Sequence, residues 1–323
     1  MRQTEERYIS LLTDFGFKRI FGTVPNKELL IDFLNSLFDG EQVIKSVTFL
    51  NSEHVGDVFA ERKAIFDVYC ENEHGEKFIV EMQNAYQTYF KDRSLYYATF
   101  PIREQAPKGD SWNHFVKPNG QSDVCFDYAM ARNGRMKSNF KLQHVYVVAL
   151  LNYDMSDASF SNDTINHDVG LLDKQTYRVF NEKLTFKYVE ISKFNKSIDE
   201  LETNFDKWLF VLRNLSRLDN QPEYLKTAVF NRLFKAAEIA HFTKTELREY
   251  EDSLKAYRDI KNSLDTAKAE GHAEGMEEGV MKGRAEGRAE ALIQVAKDML
   301  KMKMPIDKIM EITKLTAEEI KRL

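Results

Sequence analysis

In "PNKELLIDFLNSLFDG" the apolar residues recur at steps of three and four. Leu29, Leu30, Phe33, Leu34, Leu37 and Phe38 line one side and Gly40 stops the run, which predicts an amphipathic helix. Upstream, "YISLLTDFGFKRIFG" mixes apolar and polar residues without a clean period. "QVIKSVTFLNS" predicts a strand. After a polar, acid-bearing stretch, residues 65–71 and 77–83 predict two more. "YFKDRSLYYATFPIREQ" carries aromatics at helical spacing, with Pro101 expected to end or kink the helix. Residues 107–143 are polar and bear glycine, a loop-rich connection. "HVYVVALLN" is continuously apolar and predicts a buried strand; "KLTFKYVEI" alternates and predicts another. From Asp199 onward the periods are helical. The order is helix, three strands, helix, two strands, then helices. It predicts the α/β (α+β) class with an all-helical C-terminal region.

The pair of strands at 65–71 and 77–83 raises a problem of charge. Alternation sets Phe66, Val68 and Cys70 on one face with Phe78, Val80 and Met82. Asp67 and Tyr69 share the other with Ile79, Glu81 and Gln83. Gly75 closes a three-residue loop where a left-handed residue is needed, so pairing centres on His74 and sets Asp67 opposite Glu81. A one-residue slip would mix the faces. Directly opposed carboxylates, with Cβ atoms about 5 Å apart, repel one another. Two readings remain open. On an exposed ribbon face the acids are solvated or salt-bridged. In a partly dry site a divalent cation between them reverses the sign of the interaction, and hard oxygen ligands suit Mg²⁺ or Mn²⁺. The acids interrupt β-branched and aromatic runs, and Gln83 shares their face, which favours the second.

Composition narrows the partners. A hydrophobic content of 43% with 12% aromatics indicates a folded, soluble chain. The net charge of −5 offers no global field for nucleic acid, so any grip on a polyanion is local. Cys70 and Cys125 stand far apart, which excludes a disulfide scaffold and suits a reducing compartment. The N-terminus lacks an apolar signal core and no run reaches membrane-spanning length, so the expected location is cytoplasmic. The histidines form no metal-binding or triad-like cluster, and no glycine-rich phosphate loop is present.

An Asp, a hairpin and then Glu-x-Lys is the signature of the PD-(D/E)xK nucleases; here the third member is glutamine, in "EMQ". Together with "TDFGFKRIFG" and "KDRSLYYATFPIREQ", this pattern resembles the PD-(D/E)xK nuclease family transposases, or recombination-promoting nucleases. The likeness runs from about Tyr8 to the C-terminus. It implies a restriction-endonuclease-like core with a mixed sheet flanked by helices, and metal-dependent DNA cleavage in recombination or transposition. It also implies that Asp67 and Glu81 hold Mg²⁺ or Mn²⁺ while Gln83 takes the place of the lysine. A glutamine brings no charge, so Lys18 and Arg93 are candidates for the missing cation. Asp14 is either a further acidic ligand or a local turn or cap for "FGFKRIF". On the helix after the hairpin, Lys91, Arg93 and Arg103 would meet phosphates and Tyr96 or Tyr97 would stack on a base; the competing reading is a solvated face over core tyrosines. The rival function is a non-cutting scaffold that binds DNA and oligomerises.

The expected organisation is a nuclease-like domain over 1–195, a helical region over 196–265, a Gly-punctuated helical spacer over 266–290 and a small helical segment over 291–323. In the spacer, Gly271, Gly275, Gly279, Gly283 and Gly287 lie four apart, each costing about 1 kcal/mol in a helix. Alanine and alternating charges between them favour helix, and a self-associating helical spacer is expected to make the protein a homo-oligomer. Thr316 and Glu319 predict a capping box at the last helix.

Overall fold

The computed structural model describes residues 6–54, 64–105, 142–155, 160 and 162–323. Thr13 opens α1 (Asp14–Phe21): its hydroxyl accepts the Gly16 N–H at 3.0 Å, so the cap is Thr13, and Asp14 is the first residue inside the helix. The six apolar residues expected to line α2 (Lys27–Phe38) are all buried, and the left-handed Asp39 and Gly40 end it.

The first strand, β1 (Val47–Phe49), is shorter than the pattern predicts. Just before it, the backbone N–H groups of Lys45 and Ser46 donate to the Glu73 carboxylate and that of Ile44 to Asn35 Oδ1, so these donors serve side chains instead of a ladder. A short pair, β2 (Glu53–His54) and β3 (Ala64–Ile65), stands apart from the main sheet. β4 (Val68–Asn72) and β5 (Lys77–Gln83) form the expected hairpin, in the expected register: Val68 faces Val80 and Glu71 faces Lys77. Gly75 takes φ +77, the left-handed value that the three-residue loop requires. The chain bends at Asp67, and this turns Phe66 to the opposite face from the one alternation predicts, into contact with Tyr69 and Phe100.

From β5 the chain crosses through α3 (Phe90–Glu104) to β6 (Val145–Leu151), parallel to β5 and buried along its whole length. Pro101 lies in the last turn of α3, which ends three residues beyond it. One strand that the pattern did not predict, β7 (Asn166–Leu172), pairs antiparallel with β8 (Val179–Glu190), which is parallel to β6. The mixed sheet has the order β1-β4-β5-β6-β8-β7. Val68, Val80, Val148 and Val189 look into one core with α1, α2, α4 (Asn204–Asn214) and α5 (Ala228–Ala237). Ile79, Val147, Ala149 and Tyr188 look into a second core, which α3 covers with Phe90, Ala98 and Phe100. The sheet is therefore sandwiched between helical layers, in an α/β fold consistent with a PD-(D/E)xK nuclease-like core. Trp208 of α4 anchors its side through Phe21, Phe33 and Phe230, with its indole N–H donating to Asp32 at 2.7 Å.

Residues 1–261 form one compact unit and 262–323 a second. α6 (Lys244–Lys301) runs unbroken through all five spacer glycines, and apart from chain neighbours and the helix's own backbone no described atom lies within 4 Å of where their Cβ atoms would be. The second unit has its own small core of Ala296, Ile309 and Ile320, built on α6, α7 (Ile306–Thr313) and α8 (Ala317–Lys321), with the Thr316–Glu319 capping box in place. Among the described residues, no helix is long and apolar enough to cross a membrane.

Candidate active site

The paired residues of the hairpin stop at Val68 and Val80, so the expected direct opposition of Asp67 and Glu81 is not part of the ladder; side-chain hydrogen bonds join the two acids just beyond it. The Asp67 N–H donates to Glu81 Oε1 at 3.2 Å, and the Met82 N–H donates to Asp67 Oδ2 at 2.9 Å. Each carboxylate thus reaches across the ribbon and spends one oxygen on the opposite strand. Of the other oxygens, Asp67 Oδ1 lies 3.9 Å from the Lys18 ammonium. The Gln83 amide donates to Glu81 Oε2 at 3.2 Å, which ties the third motif position to the second.

The cost of this arrangement falls on protonation. Glu81 is only 4% exposed, and burial together with the neighbouring Asp67 charge pushes its pKa up to about 8. Burial also raises Asp67, against the Met82 hydrogen bond and the Lys18 charge, which lower it. Both shifts favour the protonated forms, even with the Lys18 and Arg93 charges pulling the other way. Two hard oxygens that hold a proton through desolvation and mutual repulsion fit a small divalent cation, which would replace that proton and reverse the repulsion. Among the described residues, no three His, Cys, Asp or Glu side chains gather as a metal-binding group.

Positive charge comes from two helices. On α1 the Lys18 ammonium lies 2.7 Å from Asp14 Oδ1 and 3.9 Å from Asp67 Oδ1. Burial lowers its pKa, but the Asp14 hydrogen bond and the charges of Asp14, Asp67 and Glu81 outweigh this and raise it. The Asp14 side chain is 64% exposed and engages Lys18. On α3, the Arg93 guanidinium lies over the rings of Phe90 (5.1 Å) and Tyr97 (5.6 Å), donates to Gln87 and lowers the pKa values of both Asp67 and Glu81. Tyr97 packs edge-on against Phe66 at 5.2 Å and is half-buried. Burial, then the Glu81 charge, raises its hydroxyl pKa, so Tyr97 walls the site. Lys91 instead places its ammonium over the Phe160 ring, 4.8 Å from the centroid.

Of the residues expected at the site, the fold thus brings together Asp67, Glu81, Gln83 and Lys18, with Arg93 and Tyr97 beside them. Asp14 joins through Lys18, and Lys91 meets the Phe160 ring. Tyr153 was not anticipated: its hydroxyl and Arg93 Nε are both buried with no hydrogen-bond partner among the described residues, and the Arg93 charge acts on the phenol. It sits two residues beyond β6, and nothing in the local pattern marks it.

Comparison with known families gives one match. The model of the PD-(D/E)XK nuclease family transposases covers residues 11–118 and 128–267 of the chain. No curated protein and no solved structure matches it.

Proposed function

The chain belongs to the PD-(D/E)XK nuclease family transposases, and on that premise we propose that it is a metal-dependent DNA endonuclease acting in recombination or transposition. The observation that carries this reading is the crossed bonding of Asp67 and Glu81, which holds the two carboxylates together across the hairpin. Asp67 and Glu81 would hold Mg²⁺ or Mn²⁺. When bound, the ion supplies Lewis acidity towards water and a phosphate oxygen.

The chain's own residues do the rest. Gln83, a neutral donor and acceptor, orients Glu81 and offers its amide to the attacking water. Lys18, kept charged by Asp14, takes over the electrostatic role that the motif lysine has in related sequences and faces the charge that grows on the phosphate. Asp14 is the anchor of that lysine. Arg93 holds a neighbouring phosphate from the α3 side, with Tyr97 beneath it. A reducing cytoplasm suits the buried free thiol of Cys70.

Incubation of supercoiled plasmid with the purified chain tests the reading. We expect nicking or linearisation with Mg²⁺ or Mn²⁺, and a loss of at least about 100-fold in Asp67→Asn, with an unchanged melting temperature. Equal cutting by a folded Asp67→Asn protein would remove the acid pair from the mechanism. The neutral Gln83 favours a second reading, a DNA-binding scaffold that does not cut. Intact plasmid together with no uptake of either ion in calorimetry would select it.

A further inference from the structure

Lys18 meets Asp67 Oδ1 at 3.9 Å, beyond hydrogen-bonding range, so no bond between the two fixes that distance. The placement of the α1 backbone fixes it instead. α1 has eight residues, and helices shorter than about 12–15 are marginal alone, so its setting depends on what packs against it. Phe17, Ile20 and Phe21 sink into the core and set its depth. Apolar contact is non-directional, and leaves rotation about the helix axis less defined. Directional contacts come from the first turns of α6. The Phe15 N–H, a first-turn donor without a partner inside its own helix, donates to Ser253 Oγ at 3.0 Å across 238 positions of sequence. The Tyr250 hydroxyl accepts the Ser10 N–H at 3.0 Å and donates to Glu6 Oε2 at 3.1 Å. Ser10 O in turn accepts the hydroxyl of Thr13, the cap of α1, at 2.8 Å. On the other side of Lys18, Arg19 bonds Glu246 of α6, and its guanidinium lies over the Phe242 ring.

We infer that Ser253 and Tyr250 of α6 are positioning residues for Lys18: they hold the start of α1 so that the ammonium stays beside Asp67. The inference rests on the nuclease reading for its catalytic meaning and on these contacts for its geometry. Serine is a poorer helix former than alanine, and its hydroxyl often turns back on its own helix. At position 253 the hydroxyl serves the amide of another helix instead. Phe15 stands three residues before Lys18, on the same side of α1, and its ring packs against Tyr250 at 6.0 Å and Phe242 at 5.8 Å. Loss of the Ser253 hydroxyl would strand the Phe15 N–H and free the start of α1 to shift. The two partners of Lys18 then respond differently. Asp14, at 2.7 Å, belongs to α1 and moves with it, whereas Asp67 belongs to the hairpin and is left behind. The start of α6 is itself fixed, since Glu246 Oε2 accepts the Thr243 N–H at 2.8 Å and the Thr243 hydroxyl at 2.9 Å.

Pulse acetylation of the full chain with acetic anhydride, read at each lysine by mass spectrometry, tests the placement without DNA. A lysine that loses a neighbouring carboxylate gives up its proton more readily, so Ser253→Ala and Tyr250→Phe should each raise Lys18 acetylation at least about twofold. The other lysines should label as before, and Ser253→Thr, which keeps the hydroxyl, should match the wild type. Plasmid cutting tests the catalytic part. Ser253→Ala should slow it about 10-fold, and should cost nothing further in a Lys18→Ala background. Unchanged Lys18 labelling in both folded variants overturns the inference. So do equal losses of cutting in the two backgrounds, the result of a merely structural role. If Ser253→Ala does not fold, Tyr250→Phe carries both comparisons. A wild type that never cuts refutes the nuclease reading and with it the catalytic part, while the labelling still decides whether α6 places Lys18.

Discussion

At Glu81 the site's electrostatics become measurable. Its pKa rises from the usual 4.5 to about 8 in the folded chain. Between those values the folded state binds a proton that the unfolded state has lost, so stability is fully present below about 4.5 and drains away as pH rises through about 8. With divalent ions chelated, the melting temperature should therefore fall between pH 5 and pH 8. Glu81→Gln, which cannot ionise, should flatten that slope, and Mg²⁺ should restore the wild type at pH 8 but not the variant. Thermal melts with and without chelator read this directly. Parallel slopes for the two proteins would mean that Glu81 titrates normally. The same raised pKa would link cation uptake to proton release: an ion would compete with the proton for Glu81, so affinity should grow as pH approaches 8.

Among the elements, α1 delivers Lys18 to the acid pair, and its position depends on Gly16. A Cβ there would overlap the Ser10 carbonyl oxygen and come within 2.8 Å of Thr13 Oγ1, the atom that caps the helix. Gly16→Ala should thus cost the cap, about 1 kcal/mol, plus overpacking of about 1–3 kcal/mol. Urea unfolding checks this; a change within about 0.5 kcal/mol would show that the Ser10 turn gives way freely. How far each element could be read from sequence follows from what holds it. The β4–β5 hairpin and α2 were legible because burial imposes a period on their apolar residues and Gly75 marks the turn. β7 was not: in "NHDVGLL" the buried residue is His167 and the apolar ones face solvent, so the pattern is inverted. Counting outward from His74 brings the acids near one another, since hairpin register is local, but the ladder stops at Val68 and Val80 and side-chain hydrogen bonds make the last step. The approach of Lys18 to Asp67 at 3.9 Å joins elements 49 positions apart and has no local signature.

For the whole molecule, charge sets the terms on which DNA can be held. The net charge is −5, and two of the four cations proposed from sequence to meet phosphate or the catalytic centre, Lys18 and Arg93, stand at the acid pair. A third, Lys91, lies over Phe160. A grip that rests, among the described residues, on Lys18 and Arg93 would release few counterions. The observed association constant should then fall with salt at a logarithmic slope of about −2 to −3, against about −10 for a protein with an extended basic surface. Lys18→Ala should make that slope shallower by about one. Fluorescence anisotropy with the folded Asp67→Asn variant measures both slopes without cutting the probe. A steep wild-type slope that Lys18→Ala leaves untouched would place the DNA on another face of the molecule. A shallow slope would in turn mean that affinity comes from contacts other than charge, with the acid pair, once its cation is bound, changing from a site that repels the backbone into one that holds it. Binding of the Glu81→Gln variant, compared with and without Mg²⁺, separates that contribution from the one made by Lys18.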